Sequence, residues 1–201
     1  MMYKVGITGG IGSGKTTVCK VFEVLGIPVF YADTVAKEIM VSDQLLVEGV
    51  ISTFGKESYT PEGELNKKHL AGIVFNNEAE LAKLNHLVHP AVFRAFEEWV
   101  KQIDQKVPYI LKEAALLFES DSYKMCDTSI LVTAPHDLKL ARVMHRDEVS
   151  ADQVKARMDK QMSDEEKAKM ADYFIVNDEK NSIIEQVLTL HKQFLLTAKA
   201  Y

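Results

Sequence analysis

Gly9-Gly10-Ile11-Gly12-Ser13-Gly14-Lys15-Thr16 fills the pattern G-x-x-x-x-G-K-[S/T]. Glycines in this pattern let successive backbone N–H groups turn toward one point and approach phosphate oxygens without a side-chain clash. The pattern gains meaning from context, since a strand must precede it and a helix must follow. Both are predicted. Tyr3-Lys4-Val5-Gly6-Ile7-Thr8 is a short run ended by glycines, with strand character. Residues 15–25 place Val18, Val21, Phe22 and Leu25 on one helical face, and Gly26 stands where a helix stop is expected. Residues 27–31 form a second strand. Strand, glycine loop, helix, strand is a βαβ unit, so the strands are expected to be parallel and buried.

The same stretch specifies a ligand, a nucleoside triphosphate. Gly10, Ile11, Gly12, Ser13 and Gly14 supply the backbone cradle, and the helix that follows aims its positive end at the same oxygens. Lys15 brings a point charge to the β- and γ-phosphates. The Thr16 hydroxyl is placed to ligate Mg²⁺, and Thr17 is expected on the α-phosphate side. The competing reading is a glycine turn with no ligand. Four glycines carry a large ordering entropy, which makes that a poor structural choice.

Outward from the loop, residues 36–105 carry helical periods and no convincing strand. Leu81, Leu84, Leu87 or Val88, Val92, Phe96 and Trp99 recur at three or four residues, and His89-Pro90 marks an expected kink or helix junction. Strand character returns at residues 107–112 and at residues 128–133, and Pro135 opens a helix. Ser150 with Gln153, and Ser163 with Glu166, have the spacing of capping boxes. Residues 137–170 are therefore read as short charged helices. Residues 173–176 are the last strand. Residues 183–198 form a terminal helix with Ile184, Val187, Leu188, His191, Phe194 and Leu195 expected inward.

Asp33 directly follows the second strand. Ligands of open α/β sheets lie outside the carboxyl ends of the strands, so Asp33 is a candidate general base. A helix cap for a helix starting near Thr34 is the alternative, and the two roles are compatible. Glu113 ends the third strand and either orients a metal ion through water or is a solvated rim carboxylate. Arg142 and Arg146 lie one turn apart on one helix face, and Arg157 and Gln161 repeat the spacing on the next helix. Arg142 is the favoured phosphate contact. Arg146 and Arg157 are equally readable as partners of Asp147, Glu148 or Asp152.

The chain has 201 residues, 47% hydrophobic and 26% charged, with a net charge of −5. That suits one α/β domain with inserted subdomains and argues against a nucleic-acid binder, which usually presents a basic face. Cys19 and Cys126 are isolated, with no metal-ligand spacing. No leader pattern opens the sequence, and no apolar run approaches the ~20 residues of a membrane helix. A soluble, cytoplasmic protein is expected.

Several motifs together spell a resemblance: residues 7–17, Ala32-Asp33, His89-Pro90, Leu116-Leu117-Phe118-Glu119, Arg142 through Arg146-Asp147, Gln161, and Ala171-Asp172-Tyr173 through Asn177. In this order they resemble the dephospho-coenzyme A kinase family nearly end to end. The resemblance implies an α/β P-loop NTPase fold of three layers with a five-stranded parallel sheet. Residues 1–35, 106–136 and 171–201 would form the core, 36–105 a helical substrate-binding insertion and 137–170 a helical lid. It implies ATP, Mg²⁺ and dephospho-CoA as ligands, and phosphorylation of the ribose 3′-hydroxyl. Asp33 would be the base, with Arg142 and Asn177 at the ATP site. Thr8, His89, Glu113 and Arg146 would join Asp33 on the acceptor side. A monomer or weak homo-oligomer is expected, with neither nucleic acid nor membrane as partner. The chain departs from the family at Thr16, where Ser is usual, and at Glu113-Ala114-Ala115, where Asp-x-Pro is common. Another small acceptor, such as a nucleoside monophosphate, is the nearest rival. A GTP switch would carry an N-K-x-D motif, which the sequence lacks.

Overall fold

The computed structural model describes residues 2–75 and 77–200. Met1, Asn76 and Tyr201, which fall within the expected segments, lie outside the described residues. Two compact units are present, one of residues 1–31 with 103–201 and one of residues 32–102.

The first unit is built on five parallel strands: β1 (Tyr3–Thr8), β2 (Val29–Tyr31), β3 (Tyr109–Glu113), β4 (Thr128–Thr133) and β5 (Tyr173–Val176). Their order is β2-β3-β1-β4-β5. β1 is central, with Val5 opposite Leu111 on one side and Thr128 on the other. Central parallel strands are covered on both faces, so their sequences are buried almost without alternation. β3 is buried throughout, including Lys112 and Glu113. β5 is an edge strand. The Gln186 side chain closes part of that edge, accepting from the Val176 N–H at 2.8 Å and donating to the Val176 carbonyl at 2.9 Å. A paired edge offers less template for another chain.

Helix α1 (Lys15–Val24) buries Val18, Cys19 and Phe22 against the sheet. In the second unit, α2 (Ala32–Ser42), α3 (Gln44–Phe54), α4 (Lys67–Val74) and α5 (Glu78–Gln102) surround Met40, Leu46, Val50, Phe54, Leu70 and Ala91. Asp43 caps α3 by accepting from Leu46 N–H at 3.0 Å. The expected helix junction at His89-Pro90 is not found, because α5 runs through Pro90 as one helix. Proline removes one helical bond. The burial of Ala91, Val92 and Phe96 in the turns that follow offsets that loss. Leu81, expected on the apolar stripe, is 40% exposed.

Back in the sheet unit, α6 (His136–Asp147), α7 (Ala151–Met158) and α8 (Asp164–Ala168) follow β4. Both expected capping boxes form, at Ser150 with Gln153 and at Ser163 with Glu166. Gln161, expected on a helix with Arg157, instead lies in the turn between α7 and α8, since α7 stops at Met158.

Terminal helix α9 (Ile183–Ala200) buries Val187, Leu190 and Phe194. The expected inward face needs correction: Ile184 is 59% exposed and Leu188 37%. Two overlapping apolar stripes run along this helix, and the sheet it packs on selects the one containing Leu190. His191 borders the buried stripe and is bonded to the fully buried Tyr109, hydroxyl to Nδ1, at 2.6 Å. Burial lowers the His191 pKa from its ordinary value. In the window between that lowered value and about 6.5, the unfolded chain binds more protons than the folded one. Stability from this residue is therefore complete above about pH 6.5 and is lost as pH falls through the folded pKa. Urea midpoints from pH 7.5 to 5 should fall more steeply for the wild-type chain than for His191→Gln. Parallel slopes would remove His191 as a source.

Candidate active site

β1 ends at Thr8, and the loop that follows returns to start α1 at Lys15. Gly12 and Gly14 take φ of 80° and 92°, in the left-handed region that side chains rarely occupy. Gly14 is the N-cap of α1 and packs directly on the Asn177 side chain. The first turn of α1 holds no acidic residue. Its N–H groups have no helical partners and its positive dipole end is not neutralised from within, which suits an anion. Thr16 and Thr17 expose their side chains in that turn. Ser13 is fully buried with its hydroxyl unpaired. Lys15 donates from Nζ to the Gly9 carbonyl at 2.8 Å, folding over its own loop.

The far end of the sequence closes on this loop. Asn177 follows β5 and takes the Thr133 carbonyl with its backbone N–H at 2.8 Å. Its Nδ2 donates to the Ser13 carbonyl at 2.8 Å. Arg142 on α6 donates to the Asn177 carbonyl and to Oδ1, each at 3.3 Å, and pairs with Glu179 at 3.2 Å. Lys15, Arg142 and Asn177 are thus brought to one loop. Two cations and a free helix end there favour a polyphosphate.

Thr8 is fully buried and donates to the Ala115 carbonyl at 3.2 Å. Glu113 is 6% exposed and stands opposite Ile7 of β1 and Tyr31 of β2. The solvated-rim reading of Glu113 is therefore incorrect: although it ends β3, that strand is flanked by β1 and β2 and covered on its faces, which buries it. Arg146 is held by the neighbouring Asp147 at 2.7 and 3.2 Å, and Arg157 joins the same carboxylate at 2.8 Å. That pairing, Arg146 foremost, lowers the Asp147 pKa. Asp33 and His89 belong to the helical unit. Asp33 is the second residue of α2 and exposed, so it lies inside the first turn and is not its cap. His89 is half-buried on α5, and burial, helped by His86, lowers its pKa.

Sequence reasoning passed over Glu119, Lys139, Asp164 and Lys167 as contributors. Lys167 is wholly buried, paired with Glu119 at 3.0 Å and donating to the Ala115 carbonyl at 3.1 Å. Lys139 pairs with Asp164 at 2.7 Å beside Gly10. A cleft of about 510 Å³ opens there, lined by Gly10, Ile11, His136, Lys139 and the 158–166 segment. The Ser163 capping box was a usable signal, because it marks a helix start and leaves residues 159–162 as a turn able to reach a neighbour. Burial pushes the Cys126 thiol up to about 11 and raises Cys19 further.

Comparison with known proteins agrees with the loop and its partners. The family model described as Dephospho-CoA kinase matches residues 3–183. A dephospho-CoA kinase of Salinibacter ruber is 42% identical over 178 residues, covering 88% of this chain and 89% of its own. The crystal structure of TT1252 from Thermus thermophilus superposes with a TM-score of 0.84 at 31% identity, covering 96% of this chain and 97% of the other. The dephospho-CoA kinase from Campylobacter jejuni superposes with a TM-score of 0.71 at 30% identity, covering 98% and 99%. On this match across nearly its whole length, the chain belongs to the dephospho-CoA kinase family.

Proposed function

We propose that this chain transfers the γ-phosphoryl group of ATP to the ribose 3′-hydroxyl of dephospho-CoA, giving coenzyme A and ADP. The observation that carries this is the phosphate loop joined by Arg142 and Asn177, in a chain matching the family from residue 3 to 183. The backbone of Gly10, Ile11, Gly12, Ser13 and Gly14 cradles the phosphates, with Thr17 toward the α-phosphate. Lys15 leaves the Gly9 carbonyl for the β- and γ-oxygens. Arg142 balances charge on the transferred group. Asp33 takes the proton of the attacking hydroxyl.

Mg²⁺ accompanies ATP in this reading. Among the described residues no cluster of three or more His, Cys, Asp or Glu side chains could hold a metal alone. An exposed Thr16 hydroxyl at the loop suits an ion that takes most of its oxygen ligands from nucleotide and water. Bound with ATP, Mg²⁺ neutralises charge on the phosphate oxygens. The helical unit with His89 serves the acceptor, with Thr8, Glu113 and Arg146 on the same side. Residues 137–170 act as a lid that opens to release ADP. Among the described residues, no helix is long and apolar enough to cross a membrane, and we place the reaction in the cytoplasm, by a monomer or weak homo-oligomer.

The test is ADP release by purified protein with ATP and Mg²⁺, with and without dephospho-CoA, the product being identified by mass. A gain of one phosphate on dephospho-CoA, with little ADP in its absence, is expected. ATP binding without acceptor phosphorylation would sink the acceptor assignment and send the assay to nucleoside monophosphates.

A further inference from the structure

The cleft beside Gly10 and Ile11 is walled by the turn between α7 and α8. Bonds other than that of Gln161 hold this turn. The Met162 N–H donates to Glu119 at 3.1 Å, Glu119 is paired with the buried Lys167 at 3.0 Å, and Asp164 is paired with Lys139 at 2.7 Å. With its surroundings anchored, Gln161 turns its side chain onto the phosphate loop, and its Oε1 accepts from the Ile11 N–H at 3.0 Å.

The carbonyl on the same peptide plane is also engaged: Gly10 O accepts from the Ser13 N–H at 3.1 Å. Both polar groups of the Gly10–Ile11 peptide are therefore bonded, one within the loop and one to a residue 150 positions away. A peptide held at both ends resists flipping; held at one, it needs only a change of the two flanking dihedrals. Its orientation sets the course of the backbone into Gly12 and so the direction of the amides that follow. A backbone N–H without an acceptor in this half-buried place is itself unfavourable.

The geometry points to Gln161 as a positioning residue of the phosphate loop: its side-chain oxygen holds the Gly10–Ile11 peptide in the orientation that leaves the later loop amides converging on one anion. Gln161 acts through the loop and does not touch the reacting atoms. The inference rests on the phosphate-binding reading of the loop.

Two variants of the full chain test it. Gln161→Leu removes the acceptor oxygen, and Gln161→Glu keeps one in place. Amide hydrogen exchange is followed by NMR without ligand, with Met162 N–H as the control for the turn. In Gln161→Leu, the Ile11 amide should exchange about tenfold faster, the effect of losing one such bond. Met162 should be unchanged, and Gln161→Glu should restore Ile11. ATP titration should then show affinity about tenfold weaker in Gln161→Leu, with kcat at saturating ATP changed less than about threefold, since binding and not chemistry loses its preorganisation. Unchanged exchange at Ile11 overturns the inference. So does faster exchange at Met162 as well, which makes Gln161 a holder of the turn, and so does unchanged ATP affinity once Ile11 is freed. Failure of the wild-type chain to bind ATP would sink the nucleotide reading instead, while the ligand-free exchange still decides whether Gln161 orients the peptide.

Discussion

Asp33→Asn is expected to lower kcat by about 10²–10⁴ while leaving ATP affinity nearly unchanged. Asp33 stands two residues beyond the end of β2, as the second residue of α2. Ligands of an open parallel sheet gather outside the carboxyl ends of its strands, and Asp33 is exposed on the segment that follows β2. Asparagine keeps the shape and the hydrogen-bonding reach but gives up the proton-accepting carboxylate. The competing role is structural. A carboxylate in the first turn favours its helix by roughly 0.3–1 kcal/mol through the dipole. The structural role predicts a slightly lower melting temperature and a normal kcat. The catalytic role predicts a collapsed kcat at a melting temperature within a few degrees of wild type. Steady-state kinetics with saturating ATP, set beside a thermal melt, separates them, and a mutant turning over near the wild-type rate removes Asp33 as the base.

Phe194→Ala is expected to destabilise the sheet unit by about 3–5 kcal/mol, the usual range for emptying a buried aromatic site. Phe194 is fully buried on α9. Its ring lies 5.3 Å from Tyr173, 5.5 Å from Tyr109 and 6.2 Å from Tyr3, centroid to centroid, so it meets side chains of β5, β3 and β1 at once. The contacts to Tyr109 and Tyr173 are edge-on, the arrangement aromatic quadrupoles favour. Removal leaves a void bounded by strands that cannot close it without bending the sheet. The expected fall in melting temperature is roughly 6–20 °C. A loss below about 1 kcal/mol would mean that the site collapses, and that α9 is not the clamp its burial indicates. Leu196, on the same helix and 70% exposed, is the control, and truncation there should change stability by no more than about 0.5 kcal/mol.

What was legible in the sequence were features whose cause is local. β1, β4 and β5 lie at the residues where β-branched runs and flanking turn residues place them. Both capping boxes form at their Ser residues, because a cap bond spans three positions whatever surrounds it. The phosphate loop is likewise local, since its shape comes from glycine φ values and from the helix it opens. The motifs of the family were legible as well, through their order along the chain.

Tertiary structure decided what local preference leaves equal. Either apolar stripe of α9 could face inward, and the sheet chose the one with Leu190 and Phe194 over the one with Ile184 and Leu188. Pro90 reads as a break by itself, yet packing of the turn beyond it keeps α5 whole. Charge gives no hint that Lys167 is buried, because its burial depends on Glu119 and the Ala115 carbonyl brought from 48 and 52 residues away. The partners of the loop are more distant still: Gln161 reaches Ile11 across 150 residues and Asn177 reaches Ser13 across 164. A hydrogen bond is satisfied within about 3 Å in space and carries no memory of separation along the chain. Periodicity and capping therefore located the pieces and the glycine loop gave the ligand class, while the bonds by which Gln161 and Asn177 hold that loop form only once the parallel sheet brings distant segments together.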